Sequence, residues 1–254
     1  MEKIEEVVEG ARKYDFTVIS QDVDFTGHAK LSSVICNILN TAGEDARRHG
    51  FGIGELSKRN LGWVLSRICV EVDRNLSENE HYTVETWVTD YTTLRTTRCF
   101  RLIDAEGKCF GRAVSYWCLL DYVNRRPAPL EGLKCFADTR ITDVPLPCAD
   151  PVKLRPLHVD PCSSHKVKYM DIDFNRHMNT LRYVELMLDE MPIDFVSGGS
   201  PLRCDFHFMK ETLLGDTLDV LELTEGETYR FELRRADGNV SVLAKFSPLP
   251  CNVL

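Results

Sequence analysis

The 254-residue chain is short of several things. It has no apolar run near the roughly 20 residues that a membrane-spanning helix requires. Its start, Met1-Glu2-Lys3-Ile4-Glu5-Glu6, is acidic and no apolar segment follows, so a secretory leader is not expected and a cytoplasmic location is. Positive charge is in deficit, with 31 Lys+Arg against 39 Asp+Glu and a net charge of −8. That balance argues against a general nucleic-acid binder, which must displace counterions with a basic face. The ten cysteines include no CxxC pair, which excludes a zinc ribbon or a thioredoxin-type motif. Scattered as Cys36, Cys69, Cys99, Cys109, Cys118, Cys135, Cys148, Cys162, Cys204 and Cys251, they read as reduced thiols, most of them small buried hydrophobes. Proline is thin outside one segment: seven of the eleven fall between residues 127 and 161. What remains is a globular composition, 43% hydrophobic and 28% charged, in a length that suits one large domain or two fused smaller ones.

The chain repeats itself. Gln21-Asp22-Val23-Asp24-Phe25-Thr26-Gly27-His28 matches Met170-Asp171-Ile172-Asp173-Phe174-Asn175-Arg176-His177 at an offset of 149, with both Asp, the Phe and the His coinciding. A helical stripe follows each copy. Leu31, Val34, Ile35, Ile38, Leu39, Ala42 and Ala46 mark one buried face, and Leu181, Val184, Met187, Leu188 and Met191 mark the other until Pro192 stops it. Residues Arg67–Val72 then match Arg203–Phe208 at offset 136, and Cys99–Leu102 match Arg230–Leu233 at offset 131. Turns ending in Gly107 and Gly238 close the matched hairpins. The falling offset gives the first copy 18 extra residues, expected mostly around the loop Gly50-Phe51-Gly52-Ile53-Gly54.

Each copy therefore reads as a strand, a helix and several antiparallel strands, in the first copy Trp63–Val72, Tyr82–Thr89, Thr96–Ile103 and Cys109–Leu120. A helix with a wide apolar face must be covered, and these strands supply the cover, which defines an α+β architecture. The expected organisation is a first module at 1–135, a proline-rich linker at 136–161 that is a spacer rather than a core element, and a second module at 162–254.

The segment Asp173-Phe174-Asn175-Arg176-His177-Met178-Asn179, followed by a helix, resembles the D-x-N-x-H-x-N signature of the acyl-acyl-carrier-protein (acyl-ACP) thioesterases. Asn60–Arg67, Val72-Asp73-Arg74, Val84–Val88 and Arg125-Arg126-Pro127 also look like that family's first module, so the resemblance covers nearly the whole chain. It implies a tandem (double) hotdog fold, a bacterial member similar to the plant enzymes, no cofactor, no metal and an acylated carrier protein as partner. It implies Asp173, Asn175, His177 and Glu211 as catalytic residues, and places Asn179, Thr212, Trp63, Arg176 and Arg182 against substrate. Thr212 stands where the family's motif has a cysteine, so covalent cysteine catalysis is not expected here.

The residues themselves bear this out chemically. Asp173, Asn175 and His177 alternate, and in an extended segment they would share one face just before a helix start. Thioester hydrolysis needs a base for water, a group to orient it and donors at the carbonyl oxygen, which a carboxylate, an amide and an imidazole supply. Glu211 or Asp173 would be the base. Taken singly, each residue has a plainer role: Asp173 suits a turn, His177 a hydrogen-bonded interior, and Asn175 and Asn179 a turn or helix cap. The first copy has Thr26, Gly27 and Asn75 opposite Asn175, Arg176 and Glu211, so one active site per chain is expected, with the first helix, Trp63 and Ile68 walling an acyl pocket. Asp171-x-Asp173-x-Asn175 mimics a calcium loop, but Arg176 and Arg182 occupy its glycine and glutamate positions. Zinc would need ligands beyond His165. An acidic carrier protein would need a basic patch, for which Arg125, Arg126, Lys153, Arg155, Lys166, Lys168, Arg176 and Arg182 are candidates. The competing readings are an acyl-CoA thioesterase of the same fold and a non-catalytic acyl-binding module. No membrane or nucleic-acid partner is expected, and homodimerisation through outer sheet surfaces is left open.

Overall fold

A computed structural model of the protein describes residues 8–130, 133 and 140–249. The strands β1 (Arg12–Thr17), β2 (Leu61–Val72), β3 (His81–Tyr91), β4 (Arg95–Asp104) and β5 (Cys109–Asp121) form the first half of one sheet. A short β6 (Arg126–Ala128) pairs with the end of β5. The second half holds β7 (Pro161–Lys166), β8 (Leu202–Phe208), β9 (Thr217–Glu225), β10 (Thr228–Arg235) and β11 (Val240–Pro248). The helices are α1 (Leu31–Arg48), α2 (Ile53–Ser57), α3 (Thr180–Asp189) and α4 (Ile193–Ser197). The four strands expected in the first copy are all present, each longer by one to three residues.

The strand order, β1-β3-β4-β5-β2-β8-β11-β10-β9-β7, is a palindrome of the repeat, antiparallel throughout. Its centre is the β2–β8 pairing, where Cys69 is the register partner of Asp205 and Arg67 and Glu71 face His207 and Arg203. Cys69 and Asp205 stand 136 apart, the offset read from the sequence, so a pseudo-twofold axis passes between them. Gly107 (φ +83°) and Gly238 (φ +81°) close the matched β4–β5 and β10–β11 hairpins in the left-handed conformation that favours glycine.

Alternation along β2 explains the layers. Ile68, Val70 and Val72 join the main core with Ile35 and Ile38 of α1 and Val184 and Met187 of α3, all buried on the helix-bearing face of the sheet. Cys69 points the other way, into a second cluster with Trp87, Cys99 and Val114. That outer cluster is covered by Ile141, Val144, Leu146 and Cys148 of the proline-rich segment. The segment thus corrects the expectation of a spacer. It has no helix or strand from 141 to 160, as its prolines dictate, yet it is strapped across the back of the sheet. Val152 N–H donates to Asp205 Oδ1 (3.1 Å) and Leu157 N–H to Glu232 Oε2 (2.7 Å), so strap amides serve carboxylates buried in the sheet. The expected module boundary at 135/136 lies outside the described residues, as do Cys135, Cys251 and the acidic first six residues.

Two further expectations are corrected. Eight of the 18 additional residues of the first copy lengthen the helix, α1 having 18 residues to α3's 10, and five lengthen the strand, β2 having 12 to β8's 7, rather than swelling the glycine-rich loop. Of the eight described cysteines, all free thiols, only Cys69, Cys99 and Cys204 are buried; Cys36, Cys109, Cys118 and Cys162 sit on partly exposed helix or strand faces and Cys148 on the strap.

One buried charge fastens α1. Asp45, fully buried, accepts from Arg12 Nε (2.6 Å), Arg98 Nη1 (2.6 Å) and Tyr14 Oη (3.1 Å), joining the helix to β1 and β4. Burial pushes its carboxyl upward, but the bond from Arg12 and the charge of Arg98 outweigh it and hold it down at about 2. That lies below the roughly 3.9 of an unfolded aspartate. The pairing therefore stabilises the fold above that value and is lost as pH falls through about 2. Asp45→Asn leaves Arg98 buried without a counter-charge and is expected to cost about 3–5 kcal/mol at neutral pH. Denaturant unfolding checks this, and the gap between the two proteins should narrow toward pH 2; equal stability at pH 7 would refute it.

Candidate active site

The motif residues form a turn, not an extended strand. Asp173 N–H donates to His177 O (2.9 Å), Arg176 N–H donates to Asp173 O (3.0 Å), and Arg176 adopts φ +67°. Asp173 Oδ1 accepts from Asn175 N (2.8 Å) and more distantly from His177 N (3.4 Å). Aspartate competes for nearby backbone donors in this way, and that local preference overrides the extended reading of the alternation. Asp173 is thus engaged in shaping the turn. The Asp171 carboxylate, buried below it, accepts from Lys168 N (2.7 Å), Arg182 Nε (3.0 Å) and, at 2.8 Å, pairs with His165 Nε2.

Beyond the turn, Met178 N–H donates to Thr212 O (2.8 Å) and His177 bridges Leu213, which ties the turn to the β8–β9 loop. This pairing brings the side chains of 177 and 211 together. Glu211 Oε2 lies 3.1 Å from His177 Nε2, and Glu211 Oε1 accepts from Arg125 Nη2 at 2.8 Å. The Glu211 backbone carbonyl accepts from Arg235 Nη1 (2.8 Å). The carboxylate is therefore held from both sides, by an imidazole from its own half and a guanidinium from the other half of the chain.

Arg125 is the residue that sequence reasoning misplaced as a docking cation alone. Nothing in spacing could assign it, since 86 residues separate it from Glu211. Its φ of +50° is the one local signal, visible only in the structure. Tyr122, on the same turn, has its phenol pKa raised by burial and by the negative charges of Glu211 and Asp173, which sets it beside both carboxylates.

A cavity of about 710 Å³ opens beside the turn. Phe174 and Asn175 line it from the second half; Leu39, Gly43 and Ala46 of α1, with Trp63, Trp117 and Arg98, line it from the first. Trp63, expected at a pocket wall, is there, its Nε1 donating to Phe51 O (2.8 Å). Ile68, also expected there, is instead in the core between sheet and helices, because its strand position faces inward.

The remaining substrate-contact assignments divide. Asn179 caps α3, its Oδ1 accepting from Leu181 N (2.9 Å), so its amide oxygen is spent on the helix. Thr212 is fully buried with its hydroxyl paired to Ser241 Oγ (2.8 Å), out of reach of a ligand. Arg182 is bound to Asp171 and Glu185 and lines a different cavity. Arg176 is exposed at the turn apex, with no carboxylate partner among the described residues. Helix α3 begins at Thr180, directly after the motif's last residue and three residues after His177.

Comparison with known proteins places these features. A family model for the acyl-ACP thioesterase N-terminal domain matches residues 10–132, and one for the acyl-ACP thioesterase C-terminal domain matches residues 155–246. An acyl-ACP thioesterase structure from Bacteroides thetaiotaomicron is 32% identical with a TM-score of 0.87, covering 94% of this chain and 97% of that one. The 12:0-ACP thioesterase from Umbellularia californica shares the fold at 21% identity, TM-score 0.83, covering 96% and 99%. A chloroplastic palmitoyl-acyl carrier protein thioesterase of Gossypium hirsutum is 27% identical over 194 residues, 70% of this chain and 46% of that protein. The chain spans about half the length of the curated relatives it matches first.

Gly43 probes the cavity directly, because a Cβ there meets nothing within 4 Å. Gly43→Ala is expected to stabilise the helix by about 0.5–1 kcal/mol. Gly43→Phe fills cavity space. Titration with dodecanoic acid should shift tryptophan emission saturably in the wild type and the Ala variant, through Trp63 and Trp117, and the Phe variant should lose that response. An unaltered Phe titration would put the ligand elsewhere.

Proposed function

The chain belongs to the acyl-ACP thioesterase family, and from that premise we propose that it hydrolyses the thioester between a fatty acyl group and an acyl carrier protein, releasing free fatty acid and ending chain growth. The observation that carries the proposal is the Glu211 carboxylate, fixed between His177 and Arg125 on the loop bonded to the turn whose Phe174 and Asn175 line an acyl-sized cavity. Such a pair at a largely apolar cavity is what water-dependent thioester cleavage requires.

In this reading Glu211 is the general base, in preference to Asp173, whose Oδ1 is already occupied by the turn amides. Water attacks the carbonyl carbon while Glu211 takes its proton. The Asn175 amide orients water and polarises the carbonyl oxygen. The tetrahedral intermediate collapses with cleavage of the C–S bond, and the proton passes by way of His177 to the departing sulfur, giving carboxylic acid and carrier thiol. Arg125 keeps the carboxylate aimed. The alkyl chain lies along α1, so the first half of the chain measures the acyl group and the second half cuts it. The carrier's acidic surface would meet Arg176, with the enzyme in the cytoplasm beside it; Arg182, already bound to Asp171 and Glu185, is set aside from that role.

Thiol release from matched acyl-carrier and acyl-CoA panels tests the substrate. Preference for CoA would move the reading to the acyl-CoA alternative, and no release from either would leave an acyl-binding module. Glu211→Gln is expected to lower kcat by about 10²–10⁴-fold, and Arg125→Ala by a smaller factor with little change in KM. Full activity in Glu211→Gln would remove the carboxylate from the mechanism. Arg176→Glu should raise KM for acyl carrier protein more at low than at high salt; a KM independent of salt would discard the docking role.

A further inference from the structure

The pseudo-twofold axis that relates the sheet halves also relates two cavities. The second, of about 370 Å³, is lined by the first-half turn (Asp24, Phe25) and by α3 (Leu188, Asp189), just as the acyl cavity is lined by Phe174, Asn175 and α1. The turns superpose bond for bond. Asp24 N–H donates to His28 O (2.8 Å), Thr26 N–H to Asp24 Oδ1 (2.7 Å), and Gly27, at φ +80°, stands where Arg176 does. Ala29 N–H donates to Leu76 O (2.8 Å), the counterpart of the bond from Met178 to Thr212. Phe25 and Phe174 are 79% and 77% exposed, two matched aromatic lips.

What the second cavity lacks is the cutting group. Asn75 replaces Glu211 and turns its amide toward Ser197 O (3.5 Å), and Thr26 replaces Asn175. What it keeps is an apolar wall, with Val34, Phe110, Leu188, Phe195 and Leu202. Its cations are unequally free. Arg74 is spent on Glu80 and Asp104, and Arg182 on Asp171 and Glu185, while among the described residues Lys30 bonds the Gln21 carbonyl (3.3 Å) and no carboxylate. Asp189, on the α3 side, has no basic partner among the described residues, which makes the Lys30 end the one suited to an anion.

We propose that this cavity is a second, non-hydrolytic acyl site that holds a free long-chain fatty acid, its alkyl chain on the Val34–Leu188 wall and its carboxylate at Lys30. The inference rests on the thioesterase reading of the first site, since that site's product is the ligand. A protein so built carries its product at the mirror image of the place that makes it.

Calorimetric titration of the full chain with dodecanoic acid, below its micelle concentration, tests this. The wild type should bind two equivalents per chain. Ser200→Trp, at an exposed residue lining only the second cavity, should bind one, with thiol release from acyl carrier protein and thermal melting unchanged. Lys30→Glu should keep two equivalents and weaken one by up to about fivefold, the range of an exposed charge contact. Gly43→Phe should lose the other equivalent and retain this one. A single equivalent in the wild type, or two in Ser200→Trp, would overturn the second site. Absent thiol release from the wild type would overturn the thioesterase reading instead, leaving the stoichiometry to answer for the cavity on its own.

Discussion

The backbone pairing of β2 with β8 governs everything else in this molecule. Six register pairs arranged about Cys69 and Asp205 join two half-sheets edge to edge. The β2 and β8 edges are consumed in the process, which leaves β1 and β7 at the two ends of the sheet. Because the pairing is antiparallel and centred, each half's helix is delivered to the motif turn of the other half. The larger cavity is therefore composite by construction: α1 and Trp63 come from one repeat, Phe174 and Asn175 from the next. The same geometry lets Arg125 reach Glu211 across the junction. Neither half has the parts for a site alone.

Duplication followed by divergence is recorded in the two turns. Their backbone bonds agree within about a tenth of an ångström, so the turn is maintained as structure in both halves, with Asp24 and Asp173 in the same local task. Differences are confined to what projects from that frame. Glutamate against asparagine at 211 and 75 separates a carboxylate from a neutral amide. Arg176 against Gly27 trades an easy left-handed residue for one that costs roughly 1–2 kcal/mol in that conformation. Retaining a long cation there, on an exposed apex, is consistent with a surface task rather than a folding one. The longer α1 extends the wall of one cavity only.

Much of this was legible before any coordinates. Period-2 and helical stripes gave the strands and helices because each element buries one face against a single core, and that burial is what periodicity reports. The offset of 136 even located the axis. The site was legible in its residues, Glu211 and His177, but not in its geometry. Aspartate at 173 captures two backbone amides, a local event that alternation does not encode. The resemblance assigns Thr212 to substrate, yet on the β8–β9 loop it is buried with its hydroxyl paired to Ser241. Arg125 and the strap at 141–160 depend on contacts across long sequence separations, where neither spacing nor composition carries information. Proline density predicted the absence of strands correctly and said nothing about what the segment covers.

At the wall of the larger cavity, one contact serves both the stability of the fold and the shape of the cavity. Arg98 lines the space, and an unpaired guanidinium there would hold water or an anion against an alkyl chain. Asp45 reaches it from behind, at 2.6 Å, and with Arg12 neutralises the cluster before any ligand enters. The wall can then accept hydrocarbon at no further electrostatic penalty. The same carboxylate holds α1 to β1 and β4, so the position of the helix, and with it the width of the cavity, is fixed by the ion cluster rather than by apolar packing alone. A change that loosened this cluster would alter the shape of the cavity as well as the stability of the fold.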